Sequence, residues 1–290
     1  DMDPNRVVAI LFSEEEDCCA VFTPPDQAAR RIADHILHFV RHEISKKRLP
    51  ASLPWQSGVG DVANAVLSGF LEDDFYHNLD IYSEVLQDSV LDLIDMGTVR
   101  VASGSAMTLS YKGRQRFFNE LYRYKEKIVL RPVEISNSPE VIRRLGVIAI
   151  NTAIEVDIYG HVNSTHVMGT HLMNGIGGSG DFERNAYVSM FVTPSTAKGG
   201  KISSIVPFVS HFDHSEHSVK VIITEQGLAD LRGLGPMQRA REIIARCAHP
   251  DYRGYLEDYI RTSRKGHIPH DLSRCFELHR RLLETGSMQG

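Results

Sequence analysis

Two kinds of residue stand where chemistry could occur: a carboxylate beyond an apolar strand, and glycines ahead of helices. In LDIYSEVLQDSVLDLIDMG (79–97), Leu79 to Ile81 reads as the end of a strand and Ser89 to Met96 as a helix closed by Gly97, which leaves Glu84 in the junction. Open α/β sheets collect ligands beyond the carboxyl ends of their strands, so an acid at that junction is aimed at the expected cleft. The plainer reading is an acid near the start of the next helix, favoured by its dipole, a service that Asp88 suits better.

The densest glycine cluster, MNGIGGSGDFERNAY (173–187), places Gly175, Gly177 and Gly180 in a G-x-G-x-x-G pattern. A dinucleotide fingerprint also needs an apolar strand before it and an acid about 20 residues on. Met173 and Asn174 precede this one, and Ser195, Thr196, Lys198 and Lys201 occupy the downstream window, so the nicotinamide reading loses most of its weight. What remains is a backbone able to approach a ligand closely and to turn N–H groups toward an oxyanion or phosphate, ahead of a helix expected over 181–190. A tight strand-to-helix turn is the alternative. WQSGVGDVANAVL (55–67) repeats the arrangement with Gly58 and Gly60 before a helix, again as ligand loop or ordinary turn.

SHFDHSEHSV (210–219) carries His211, His214 and His217 at steps of three. Helical or extended backbone would point them in different directions, and Asp213 and Glu216 suit a solvated loop, so no metal site is expected.

These residues need a scaffold. A chain of 290 residues is long enough to bury a core, as one large domain or two small ones. With 42% hydrophobic and 24% charged residues it reads as a soluble globular enzyme, and a net charge of −5 offers no basic field for nucleic acid. Cys18, Cys19, Cys247 and Cys275 lack metal-ligand spacing and imply reduced thiols in a cytosol-like compartment. The longest apolar stretch, near 145–156, is broken by Asn151, Thr152 and Glu155, so no membrane span is expected. The chain opens without an obvious domain start and reads as a fragment.

Short β-branched runs predict strands over 7–11, 79–82, 99–102, 128–132, 148–150, 162–163, 188–192, 205–209 and 219–224. Helical patterns lie between some of them: 26–46, with Ile32, Ile36, Val40 and Ile44 on one side, and another starting at Pro236 with Ala240, Ile243, Ile244 and Cys247. The alternation predicts an α/β fold, an open, mostly parallel sheet flanked by helices. From Tyr252 onward the pattern turns polar and helical, as an extension packed on the outside.

Taken in order, QSGVGDVANAVL (56–67), IYSEVLQD (81–88), VEISNSPEVIRRLGVIAINTAIEVDIYGHVNSTHV (133–167), NGIGGSGDFERNAY (174–187) and TEQGLADLRGLGP (224–236) resemble the acetyl-CoA hydrolase/transferase family, in particular its succinyl-CoA:acetate CoA-transferase branch. The resemblance runs over nearly the whole chain and implies a class I CoA-transferase-like domain. Members are longer on the N-terminal side, which implies that residues 1–50 are a leading strand and helix joining another domain, that 51–253 form the catalytic domain, and that 254–290 are the helical extension. It further implies a homodimer, a cytoplasmic setting (with a mitochondrial one as the alternative in a eukaryote), coenzyme A as substrate with no tightly bound cofactor, and a small carboxylate as acceptor.

By the same matching, Glu84 corresponds to the family's glutamate nucleophile, Gly178 to the loop residue whose N–H faces the developing oxyanion, and Asn137 to an active-site asparagine. Gln56, Ser57, Gly58, Val59 and Gly60 correspond to the coenzyme A turn, with Ile154, Asn174, Gly178 and Lys198 as further contacts. Asn137 before Pro139 also suits a turn, and Lys198 beside Gly199 and Gly200 also suits a solvated loop. A hydrolase, and a truncated binding module without activity, are the other readings.

Overall fold

The computed structural model describes residues 3–15, 18–58 and 60–289. Its centre is an eight-stranded sheet built from β1 (Trp55–Ser57), β2 (Leu79–Tyr82), β3 (Val99–Gly104), β4 (Ile128–Leu130), β5 (Ile148–Thr152), β6 (Val188–Val192), β7 (Val221–Thr224) and β8 (Gly227–Asp230). The spatial order is β8-β7-β6-β5-β1-β2-β3-β4. Seven strands run parallel and β8 returns antiparallel to β7 as the edge. The chain winds outward from β1 through β2, β3 and β4, then restarts on the other side of β1 with β5. The gap between β1 and β5 is therefore the topological switch point, where the following loops diverge and leave a crevice.

Strands buried on both faces should be almost continuously apolar, and β6 is apolar except at Ser189, with all five residues buried. On one face Ile148, Ile150, Val188, Met190, Val192, Val221 and Ile223 pack against α1 (Gln27–Ser45), α2 (Asp61–Gly69) and α3 (Asp88–Asp95). Helix α1 starts where Asp26 accepts the Ala29 N–H at 2.8 Å, and it buries Ile32, Ile36 and Val40 one turn apart. After α4 (Tyr111–Asn119), the opposite face is covered by α5 (Pro139–Leu145) and α6 (Ser179–Asn185), which bury Ile142 and Phe182 against Tyr82 and Ala149. Farther along, α7 (Pro236–Cys247) and α8 (Pro250–Thr262) cover Phe191 and Ile222, and α9 (Glu277–Thr285) follows.

Four expectations change. Residues 7–11 form no strand: Val8 is fully exposed and Leu11 is 92% exposed, because a strand exists only where a neighbour completes its ladder and these residues meet none. The helix expected over 181–190 spans Ser179–Asn185 and stops there, since the Tyr187 N–H donates to Val147 O at 2.8 Å and commits the chain to β6. The expected 253/254 boundary does not fall at an element end: α8 runs across it and lays one face, with fully buried Leu256 and Tyr259, on the core around Phe191. Strand β1, with only three residues and two of them polar, has no sequence signal and yet sits next to the switch point.

Candidate active site

The carboxyl ends of β1, β2, β3 and β5 meet at one edge of the sheet, and Glu84 is the second residue beyond β2. Its backbone is pinned. The Glu84 carbonyl accepts the N–H groups of Ser105 and Ala106 at 2.8 and 3.2 Å and the Ser105 hydroxyl at 2.8 Å. Next to it Ser83 donates through its N–H to Ser103 O at 2.9 Å and through its hydroxyl to Ser57 O at 3.0 Å. A residue held by the loops after β1 and β3 has little freedom except in its side chain.

That side chain crosses to the glycine loop, where Glu84 Oε2 accepts the Gly178 N–H at 2.6 Å. An N–H donated to a carboxylate is short and about twice as strong as a neutral pair. Gly178 has φ −81° and ψ 0°, a conformation open to any residue, so space rather than torsion demands glycine here. A Cβ would clash with Glu84 Oε2 and stand 2.6 Å from Asn137 Nδ2. Glu84, Gly178 and Asn137, far apart in sequence, thus share one small volume. Asn137 Oδ1 is buried without a partner among the described residues, the kind of group that a ligand satisfies. Asp181, on the first turn of α6, has its carboxyl pKa raised by burial and by the nearby Glu84 charge.

The other expected residues lie around this centre. Gln56 is buried and spends its side chain inside the sheet, accepting the Ile150 N–H at 3.2 Å and donating to Asn151 Oδ1 at 3.3 Å, so it welds β1 to β5 and leaves ligand contact to the backbone beyond it. The Ser57 hydroxyl is buried and has no hydrogen-bond partner among the described residues. Gly58 donates to Ile150 O at 2.9 Å, and its carbonyl accepts from Gln87 at 3.2 Å. Val59 lies outside the described residues. Gly60, at φ +119°, turns the chain into α2. Ile154 follows β5 and donates to Asn163 O at 2.8 Å. The exposed Asn174 anchors the start of the glycine loop on Ser164 O at 3.0 Å. Lys198 is exposed at the tip of the hairpin that joins Thr196–Ala197 to Ile202–Ser203, and no hydrogen bond among the described residues ties it to Glu84. The glycine loop follows a two-residue hairpin strand, His171–Leu172, and not a strand of the main sheet, so the dinucleotide fingerprint lacks its structural context.

The three histidines diverge. His211 stacks on His166 with ring centroids 3.8 Å apart, His217 is exposed beside Glu216, and His214 turns inward to the hydroxyls of Ser164 and Ser179. Sequence reasoning missed this inward contact, and only the unusual density of histidines marked the segment.

An anchored carboxylate meeting a backbone N–H, at the carboxyl edge of a parallel sheet, can attack an electrophilic carbonyl, and the N–H on its other oxygen can receive the negative charge when the acylated carboxyl is attacked in turn. Known proteins share the scaffold. The chain is 53% identical over 290 residues to the propanoyl-CoA:succinate CoA transferase of Escherichia coli, covering all of this chain and 59% of the relative. It is 48% identical over 301 residues to the acetyl-CoA hydrolase of Eremothecium gossypii, covering 99% of this chain and 57% of that one. The 4-hydroxybutyrate CoA-transferase structure from Porphyromonas gingivalis superposes with a TM-score of 0.67 at 26% identity, over 85% of this chain and 58% of that one. The chain therefore spans somewhat more than half the length of these relatives. Residues 113–260 match the model of the acetyl-CoA hydrolase/transferase C-terminal domain, and the chain belongs to that family.

Proposed function

We propose that this chain is the catalytic part of a CoA-transferase that moves coenzyme A between a short acyl-CoA, such as succinyl-CoA or acetyl-CoA, and a small carboxylate such as acetate. The observation that carries the reading is the 2.6 Å hydrogen bond from Gly178 N–H to Glu84 Oε2, with Asn137 beside it.

In this reading the Glu84 carboxylate attacks the thioester carbonyl carbon, the C–S bond breaks, and coenzyme A leaves as thiolate from an acyl-glutamyl anhydride. The thiolate then attacks the glutamyl carbonyl, the donor acid leaves as carboxylate, and a glutamyl-CoA thioester remains. An acceptor carboxylate runs the two steps in reverse. Only a carboxylate nucleophile gives an anhydride whose two carbonyls are of matched reactivity, which suits a reversible exchange between acids. Gly178 N–H, already aimed at a Glu84 oxygen, receives the negative charge that develops there when the thiolate or the acceptor carboxylate attacks the glutamyl carbonyl, whereas attack by Glu84 itself puts the charge on the acyl oxygen. Asn137 offers an amide to the same region, and the turn from Gly58 to Gly60 together with Ile154, Asn174 and Lys198 lies along the path for coenzyme A, with Lys198 as the phosphate partner.

A hydrolase is the second reading, favoured by the Eremothecium relative's name. Water reaching the anhydride or thioester would end the cycle as free acid and coenzyme A. We assign exclusion of water to the part of the relatives' length that this chain does not span, a further domain on the N-terminal side. The whole enzyme is proposed to be a cytoplasmic homodimer. No helix among the described residues is long and apolar enough to cross a membrane.

The test is incubation of the full-length protein with acyl-CoA, reduction with borohydride, and peptide mass spectrometry. The reading expects the reduced label on the peptide that contains Glu84 and none in Glu84→Ala. A label elsewhere, or turnover retained by Glu84→Ala, refutes it.

A further inference from the structure

The inward-turned histidine has a partner set that reaches the oxyanion donor. His214 is 3% exposed. Its backbone N–H donates to Val162 O at 3.0 Å and its carbonyl accepts the Val162 N–H at 2.9 Å, while its ring lies 4.7 Å from that of Phe191 on β6. The imidazole is therefore fixed from three sides. Its Nε2 stands 3.1 Å from Ser164 Oγ and 3.4 Å from Ser179 Oγ.

The proton assignment follows from what those hydroxyls already do. Ser179 gives its hydroxyl proton to Ile176 O at 2.7 Å, so toward His214 it can only accept. Ser164 has Asp213 Oδ2 within 3.3 Å for its own proton, and its N–H donates to the same oxygen at 2.7 Å. Both hydroxyls are satisfied when Nε2 carries the hydrogen and the ring is neutral. Burial favours that form and pushes the His214 pKa down to about 4.

Ser179 is the residue after Gly178. Its N–H and its hydroxyl both return to Ile176 O, at 3.3 and 2.7 Å, and so close the turn that holds Gly177 and Gly178. On the other side, Ser164 O accepts from Asn174 at the start of the same loop. The loop that aims the Gly178 N–H is thus clamped at both ends by residues that meet on one imidazole nitrogen.

We propose that His214 is a positioning residue for the oxyanion donor: through Ser179 and Ser164 it sets the direction of the Gly178 N–H toward Glu84. The proposal rests on the reading of Glu84 as nucleophile and adds a residue that touches neither substrate nor nucleophile. A misplacement of about 1 Å at a reacting group can cost about a hundredfold in rate.

The experiment compares His214→Leu, His214→Gln and Ser179→Ala in the full-length protein, with melting temperature, kcat and the KM for acyl-CoA measured for each. Leucine fills the site without a donor, whereas glutamine returns an N–H near the Nε2 position. The expected result is a fall in kcat of about tenfold or more for His214→Leu and for Ser179→Ala, KM within about threefold of the parent, and recovery of most of the loss by His214→Gln. If His214→Leu does not fold, Ser179→Ala and His214→Gln carry the test. Parental kcat in the variants lacking the donor or the hydroxyl overturns the proposal, as does a loss in His214→Gln equal to that in Ser179→Ala. Borohydride labelling of Glu84 in the parent is scored separately, so a mark elsewhere sinks the nucleophile assignment while unaltered kcat in the variants sinks only the positioning role.

Discussion

Replacing Gly178 with alanine asks whether the contact at Glu84 is chemical or merely structural. The new Cβ would clash with Glu84 Oε2 and lie 2.6 Å from Asn137 Nδ2, so the loop or the carboxylate must move. Torsion does not resist, because φ −81° and ψ 0° suit alanine. Loss of glycine's freedom in the unfolded chain stabilises by about 0.4–1 kcal/mol. Crowding beside Glu84 costs about 1–3 kcal/mol if nothing yields, and less here because the glutamate is half-buried and can swing away. The two nearly offset, and the melting temperature should move by only a few degrees. Chemistry should suffer far more. Withdrawing one oxyanion donor costs about 10²–10³ in kcat, equal to about 2.7–4 kcal/mol of transition-state stabilisation. Steady-state exchange between a short acyl-CoA and acetate, run beside calorimetry, separates the two effects. Retention of kcat within about threefold, with the protein folded, would refute the role assigned to this N–H.

Two further outcomes follow from the same geometry. Glu183, 2% exposed on α6 with one oxygen unpartnered, has its pKa raised to about 7, chiefly by burial. The native state then holds a proton that the unfolded chain releases near pH 4.5, so this group's contribution is fully present below that value and is lost as pH rises toward about 7. Denaturation against pH should show Glu183→Gln gaining on the parent across this window, by on the order of 3 kcal/mol at its upper end, and parallel curves would refute the assignment. Gly60→Ala should destabilise by about 1–3 kcal/mol because φ +119° is nearly closed to side chains, whereas Gly58→Ala, whose Cβ would meet Ile150 O at 3.6 Å and Asn151 at 4.0 Å in ordinary contact, should cost under about 1 kcal/mol. Equal losses in urea denaturation would contradict that account.

Local pattern alone determined much of this molecule. The 3.6-residue stripe of Ile32, Ile36 and Val40 specified α1, apolar runs specified β6, broken only by Ser189, and the core of β7, and Gly97 marked the end of α3, observed at φ +76°. Each depends on neighbours in sequence, and backbone sterics with amphipathic burial act at that range. The place of Glu84 beyond a strand was legible for the same reason, and order along the chain was enough to carry the family resemblance.

Tertiary structure decided the rest. Trp55–Ser57 is a strand only because β2 and β5 flank it, and the apolar 7–11 segment is not one because no strand among the described residues pairs with it. The histidines at steps of three looked like one cluster, yet the bridge between His214 and Val162 turns a single ring inward and leaves its neighbours elsewhere. Above all, no spacing rule joins Glu84 to a glycine 94 residues away. That contact exists because the chain starts winding again beside β1, bringing the loops after β2 and before α6 to one edge, where long-range packing and not local preference sets a distance of 2.6 Å.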